Sequence, residues 1–461
     1  MVPPFLLLYY VKTFGVNVIL SDDWQKVSLV RKTMSGTLSF SDLFVQLNEH
    51  RMLFPNLLII AIEILTRYDT VAVMFSSWVL ICLTSLVIFH VYRKQFHWNN
   101  YPKLLLIFLP ALLLLFSFRQ WESMLWATTS QIYLMIFGVV ATFSLLEISK
   151  KVDIWFILSL LAASLASFSF LVGLATWPVG LFQIVISKRE KIFRHVILWC
   201  MVGTFVFVAY FWGYVKPSYH PPIDYVLAEP LKAAGYFFAF VGSPLGWDYI
   251  ISITIGMIAM MVAVLVLAYV YRRKILRDNS VWLSLILFAA SSSLITTVGR
   301  SGFGIEQATA SRYTPITLLG AVGLYFLALS LSEKTSAERK SFGTRVLLCL
   351  ILIGIVATCA VGYYGGWSLG QHVKFEREMG AYVLLTYKIQ SDENIRNYLY
   401  ADTALVREQA EFLERERLNV FSKSVVNVST LIPMHSHTFF SLESINGKTL
   451  EQDTDFVIDL S

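Results

Sequence analysis

Long apolar runs recur through the first four-fifths of this chain, and the segments joining them alternate between two kinds. One kind is short and basic: Arg93-Lys94, Lys150-Lys151, Lys188-Arg189-Glu190-Lys191, Arg272-Arg273-Lys274, and the stretch from Lys334 to Arg345. The other is poor in net charge and rich in polar and aromatic side chains: Asp22-Asp23-Trp24, Asn48-Glu49-His50-Arg51, Arg119-Gln120-Trp121-Glu122, and Arg300 through Tyr313. Lys and Arg in short loops stay on the cytoplasmic side of a membrane, so this alternation sets a topology. It puts the N-terminus inside, the C-terminus outside, and every chemically interesting loop on one extracytoplasmic face.

A chain of 56% hydrophobic and 15% charged residues, with a mean hydropathy of +0.62, lies outside the range of soluble globular proteins. A helix needs about 20 apolar residues to cross the hydrocarbon core. On that criterion spans are expected near residues 2–20, 70–92, 103–118, 131–148, 154–172, 174–187, 195–214, 250–271, 280–298, 314–332 and 345–364, about eleven in all. The run 174–187 is short and carries Pro178, so it is a crossing, a half-helix or a tight hairpin partner of the preceding span, and the unbroken basic alternation favours a crossing. The N-terminal run has no basic flank and no small-residue cleavage site before Asp22, which reads as a span rather than a signal peptide. The net charge of +6 is then orientation charge facing anionic headgroups, not a nucleic-acid footprint. All four cysteines (Cys82, Cys200, Cys349, Cys359) fall inside expected spans, with no disulfide or zinc spacing.

The expected fold is therefore an all-α polytopic membrane protein. A transmembrane domain occupies 1–366, and its first outer loop, 21–69, carries helices lying along the interface. Ser39-Phe40-Ser41-Asp42 has the form of a helix N-cap, with Leu43, Phe44 and Leu47 following at helical spacing. After Gly365-Gly366 the pattern breaks, and 367–461 reads as a small extracytoplasmic α+β domain. It has a charged helix from Asp402 to Arg417 and short strands at Val425–Val428 and Phe456–Ile458.

Asp22 and Asp23 end the first span. They either simply close the helix in water beside the belt residue Trp24, or serve as a general base, their acidity weakened at the membrane boundary. Snorkelling explains Arg51 but not Glu49 and His50 next to it. Together with Asn48 these form a candidate substrate cluster, able to hold phosphate or sugar hydroxyls. Arg119, Gln120 and Glu122, with Trp126 beyond, repeat the style, although an Arg119–Glu122 pair within the loop would account for two of them. The glycine-rich loop around Arg300, followed by Glu306-Gln307 and Ser311-Arg312-Tyr313, carries two arginines against the topological bias. Arg is the planar donor suited to phosphate, which makes this the best candidate for an anionic ligand site. His220, in a Tyr-His-Pro-Pro turn, reads as a surface histidine, and Glu63 and Arg67, four apart, as a helical pair. There is no HExxH or P-loop.

Acids at the outer end of the first span, interfacial helices, about eleven spans and a trailing outer segment resemble the GT-C superfamily of integral-membrane glycosyltransferases. In sequence the likeness is carried by Asp22-Asp23-Trp24, Asn48-Glu49-His50-Arg51, Gln120-Trp121-Glu122 with Trp126, Glu306-Gln307-Ala308 with Ser311-Arg312-Tyr313, and the tail stretch Leu405 through Phe421. In layout the chain is similar to the O-antigen-modifying glucosyltransferases of bacterial envelopes. The resemblance implies a bacterial inner-membrane enzyme that takes a sugar from a polyprenyl-phosphate carrier and passes it to a glycan or lipid-linked acceptor. Asp22 or Asp23 would be the base, and neither cofactor nor metal is called for. Chemistry then assigns Arg51, Arg300 and Arg312 to the lipid phosphate. A glycan polymerase or ligase shares those needs but usually concentrates one large outer loop late in the chain. A transporter would carry its polar groups at mid-membrane, whereas these spans are nearly free of ionisable residues, Lys12 being the main exception.

Overall fold

A computed structural model describes residues 2–96, 100–187, 189–337 and 342–422. The first span is α1 (Val2–Phe14), followed by a 3₁₀ turn at Ser21–Asp23 and α2 (Trp24–Met34), α3 (Phe40–Leu43), strands β1 (Gln46–Leu47) and β2 (His50–Arg51), and α4 (Leu53–Leu65). Then come α5 (Thr70–Phe96), α6 (Tyr101–Leu115), α7 (Trp121–Met124), α8 (Ser130–Ile148), α9 (Ile154–Ser167), α10 (Thr176–Ile186) and α11 (Ile192–Phe211). The remainder is α12 (Tyr225–Ala228), α13 (Pro230–Gly242), α14 (Tyr249–Arg272), α15 (Ser280–Arg300), α16 (Thr314–Ala337), α17 (Phe342–Leu385), α18 (Asp392–Tyr398) and α19 (Thr403–Arg415). Asn100, Asp153, Asp248 and Asp402 cap α6, α9, α14 and α19, each side chain accepting a first-turn N–H.

Among the described residues eight helices are long and apolar enough to cross a membrane, and the chain is an integral membrane protein. The other three expected spans are helices of 13, 14 and 11 residues (α1, α9 and α10), short of the roughly 20 that a crossing takes. Yet the chain from 171 to 189 still joins the two ends of the bundle. The Leu171 N–H reaches the His50 ring, while Arg189 reaches the Leu146 and Ser149 carbonyls at the basic end. The connections described by the sequence alternation therefore gather as two separate ends, one basic and one polar and aromatic.

Two further expectations give way to the structure. The Leu43, Phe44, Leu47 spacing does not continue a helix: Ser39 and Asp42 form a capping box, but α3 lasts four residues. A two-stranded antiparallel hairpin follows, pairing Gln46 with Arg51 and Leu47 with His50. Nor does the chain break at Gly365-Gly366, because α17 runs through them for 44 residues, about 66 Å, well beyond a membrane. The glycines are packing surfaces. A methyl at Gly366 would lie 2.4 Å from the Phe118 carbonyl oxygen, and one at Gly365 would lie 2.5 Å from the Trp247 ring. Gly366→Ala should therefore cost about 1–3 kcal/mol of stability, seen as a lower thermal midpoint in detergent; an unchanged midpoint would show that the approach of α17 is loose.

The segment after α17 packs back on the first loop. Val27 and Val30 of α2 share an apolar cluster with Val406, Ala410 and Leu413 of α19. Asn419 donates to the Arg67 carbonyl through its backbone and to Asn17 through its side chain. The expected charged helix is α19, whereas the expected strands at 425–428 and 456–458 lie outside the described residues.

Candidate functional site

The β1–β2 hairpin puts Asn48 and Glu49 at its tip. A two-residue loop needs a positive φ, and Asn48 takes one (φ 51), a conformation that asparagine tolerates. The base of the hairpin is clamped to the end of α11. Gln46 exchanges hydrogen bonds with both the N–H and the carbonyl of Val215. Arg51 donates to the carbonyls of Tyr210 (2.5 Å), Phe44 (2.9 Å) and Trp212. Each guanidinium nitrogen of Arg51 is thus engaged by backbone, and the residue is buried.

At the tip, Glu49 accepts from Arg300 at the end of α15, at 3.0 Å from Nε and also from Nη2. His50 Nε2 stands 3.5 Å and His220 Nε2 3.6 Å from the same carboxylate. His220 is therefore not a surface residue: its ring is enclosed, edge-on to Phe303. Burial opposes ionisation of Glu49, but His50 and the Arg300 guanidinium outweigh it and hold the carboxyl down at about 2. Burial also lowers His50, to about 4, and its Nδ1 accepts the Leu171 N–H at 3.2 Å. At neutral pH the ring is uncharged, and Arg300 is the lasting counter-charge of Glu49.

The sign of the pH effect follows. The folded form binds the His50 proton less tightly than the unfolded chain does, so stability is complete above about 6.5 and is lost as pH falls toward 4. Thermal midpoints should drop over that window, by the equivalent of roughly 3 kcal/mol at the acid end. A His50→Gln variant should show a flatter profile; identical profiles would rule His50 out as the cause.

Asp22 and Asp23 share the 3₁₀ turn, which is tied to the outer layer by the Ser21 N–H on the Leu399 carbonyl, 2.8 Å. They face different surroundings. Asp22 is half-buried and accepts from Asn48 Nδ2 at 3.0 Å, while Tyr219 holds the other end of that amide. Asp23 is buried, with Trp126 Nε1 donating to it at 3.0 Å. Burial raises the Asp23 carboxyl, against Lys26, Thr128 and Arg377, which lower it. Behind it lies a group that sequence reading did not bring together. Lys26 is buried and lowered by that burial, and the Glu63 carboxyl is pushed well above its ordinary value by burial and by Asp23. The expected Glu63–Arg67 helical pair does not form, since α4 ends at Leu65 and Arg67 has a positive φ. Two signals in the sequence point to this group: Glu63 is the lone charge in an apolar helix, and Arg377 continues the stripe of Gly362, Gly366, Gly370 and Val373.

The remaining candidates divide sharply. Arg119 is 2% exposed and donates to the carbonyls of Ser243, Gly246 and Thr309, stacked on Trp247. Gln120 is closed between the Leu115 carbonyl and Tyr133. Glu122 pairs not with Arg119 but with Arg312, at 2.7 Å, and also accepts the Arg312 N–H. Gln307 accepts from Tyr236, Tyr313 is buried against Phe240, and Glu306 is exposed. The four arginines thus fall into two kinds. Arg51 and Arg119 hold backbone. Arg300 and Arg312 are each fixed by one carboxylate, keep 20% and 31% of their side chains exposed, and lie close enough to repel each other. Beside the hairpin an apolar cavity of about 630 Å³ is lined by Phe40, Phe44, Val45, Arg51 and Val215.

No family model matches the chain. An uncharacterized protein of Archaeoglobus fulgidus is 24% identical over 246 residues, covering 48% of this chain and 62% of that protein, so the match spans less than two-thirds of the relative. Among solved structures, ArnT from Cupriavidus metallidurans in the apo state is similar over 90% of this chain and 87% of that one, at 13% identity and a TM-score of 0.45. ArnT bound to undecaprenyl phosphate aligns over the same shares, at 11% identity and a TM-score of 0.43.

Proposed function

We propose that this chain transfers a sugar from a polyprenyl-phosphate donor to a glycan or lipid-linked acceptor at the extracytoplasmic face, with inversion. The observation that carries the reading is the pair of partly exposed, carboxylate-fixed guanidiniums of Arg300 and Arg312 at the same end of the bundle as Asp22. A guanidinium held by its own acid is already oriented, so a phosphate meets two preset donors instead of two mobile ones.

In this scheme Asp22 takes the proton of the acceptor hydroxyl while that oxygen bonds to the anomeric carbon. The bond from that carbon to the phosphate oxygen breaks, and its electron pair leaves on polyprenyl phosphate, where Arg300 and Arg312 stabilise the growing charge. Asp22 is favoured over Asp23 because it is the more accessible of the two. Asn48 orients it, and Asp23 with Trp126 holds the turn on which it sits. The apolar cavity beside the hairpin suits the first isoprene units.

The test is binding of undecaprenyl phosphate to the purified protein. Arg300→Ala and Arg312→Ala should each weaken it about tenfold or more, and Ser301→Ala should leave it unchanged. Equal affinities in all three would remove the phosphate site.

A further inference from the structure

The opposite, basic end of the bundle holds a second cavity, of about 250 Å³, where α5, α8 and the start of α15 meet. Two lysines line it, Lys94 and Lys150, and so do two carboxylates, Glu147 and Asp278. Its floor is polar where a membrane bundle would otherwise be apolar. Ser280 donates to Glu147 at 2.5 Å, and Lys150 stands 3.4 Å from the other oxygen of that carboxylate. Ser144, also in the lining, is 4% exposed, and its hydroxyl has no hydrogen-bond partner among the described residues. A buried hydroxyl without a partner costs free energy unless something enters to satisfy it.

The charges select the ligand. A plain anion entering here would meet Glu147 and Asp278, and a plain cation would meet the two lysines. A small molecule carrying both a phosphate and an ammonium group is complementary to both pairs of charges. Lys94, Lys150 and Asp278 are exposed at the rim, level with the basic loops that mark the headgroup zone. We propose that this cavity binds a phosphate ester bearing a primary ammonium group, supplied as the headgroup of a phosphatidylethanolamine in the leaflet at the basic end. The phosphate lies between Lys94 and Lys150, the ammonium donates to Glu147 and Asp278, and the Ser144 hydroxyl turns to the phosphate. This site is separate from the polar-end chemistry and does not depend on it.

The experiment is lipid binding to the full-length protein in detergent, comparing phosphatidylethanolamine, phosphatidylcholine and phosphatidylglycerol of identical acyl chains. Phosphatidylethanolamine should bind about tenfold more tightly than either, because the quaternary headgroup donates no hydrogen bond and the glycerol headgroup carries no cation. Lys94→Ala/Lys150→Ala and, separately, Asp278→Asn should erase that preference; these are exposed positions whose variants should fold. Competition by soluble glycerophosphoethanolamine would support the headgroup site. Failure to compete, equal binding of the three lipids, or an undiminished preference in both variants would overturn it.

Discussion

Asp22→Asn should abolish sugar transfer, lowering the rate by about 10²–10⁴-fold while leaving the thermal midpoint close to that of the parent protein. The amide cannot take up the acceptor proton. Its oxygen can still accept the Asn48 hydrogen bond, and its half-buried position tolerates an isosteric neutral group. Asp23→Asn should differ in kind. That carboxylate is buried against Trp126 and shares its surroundings with Lys26 and Glu63, so the substitution should shift stability as well as activity. The two variants therefore separate base from scaffold. Full activity in Asp22→Asn together with complete loss in Asp23→Asn would exchange their roles; full activity in both would remove a carboxylate base from the first outer loop.

Arg300→Ala should lower turnover by about 10²–10³-fold, more than it weakens donor binding, because the charge it meets grows as the phosphate departs. It should also destabilise the hairpin tip. Glu49 would be left buried with only the two imidazoles nearby, and removing one partner of a buried ion pair leaves an uncompensated charge. A double variant, Glu49→Gln with Arg300→Ala, should recover stability but not turnover. If turnover returned with stability, Arg300 would be a structural partner of Glu49 and nothing more.

Much of the architecture is legible in sequence because the membrane imposes simple rules. The alternation of basic with polar and aromatic connections appears in the structure as two gathered ends, and the expected charged helix in the tail is α19. Misreadings arose where a local pattern has two physical meanings. The hydropathy pattern breaks after Gly365-Gly366, yet α17 continues through them, because on a face packed against Phe118 and Trp247 glycine is what lets the helix approach its neighbours. Leu43, Phe44 and Leu47 fit a helical period, yet Asn48 can adopt the left-handed conformation that closes a hairpin instead.

For the site, residue type was readable and partnership was not. Four arginines look alike in sequence as phosphate donors. Only the fold reveals that Arg51 and Arg119 are engaged by carbonyls, while Arg300 and Arg312 are set by Glu49 and Glu122 from loops some 250 and 190 positions away. The same long-range contact turns His220 from a loop histidine into a neighbour of Glu49. Lys26 and Arg377 escaped notice because each is isolated along the chain, Glu63 was read only as a partner of Arg67, and the clustering of the three exists only after α2, α4 and α17 converge on Asp23.

The most direct measurement is release of free polyprenyl phosphate from polyprenyl-phosphate sugars by the purified protein, with and without candidate glycan acceptors. The expected result is release that requires an acceptor, is stoichiometric with glycoside formed, and vanishes in the Asp22→Asn/Asp23→Asn double variant. Tight binding of the lipid with no release for any common sugar and acceptor would contradict the account and leave a carrier of lipid-linked sugars in its place.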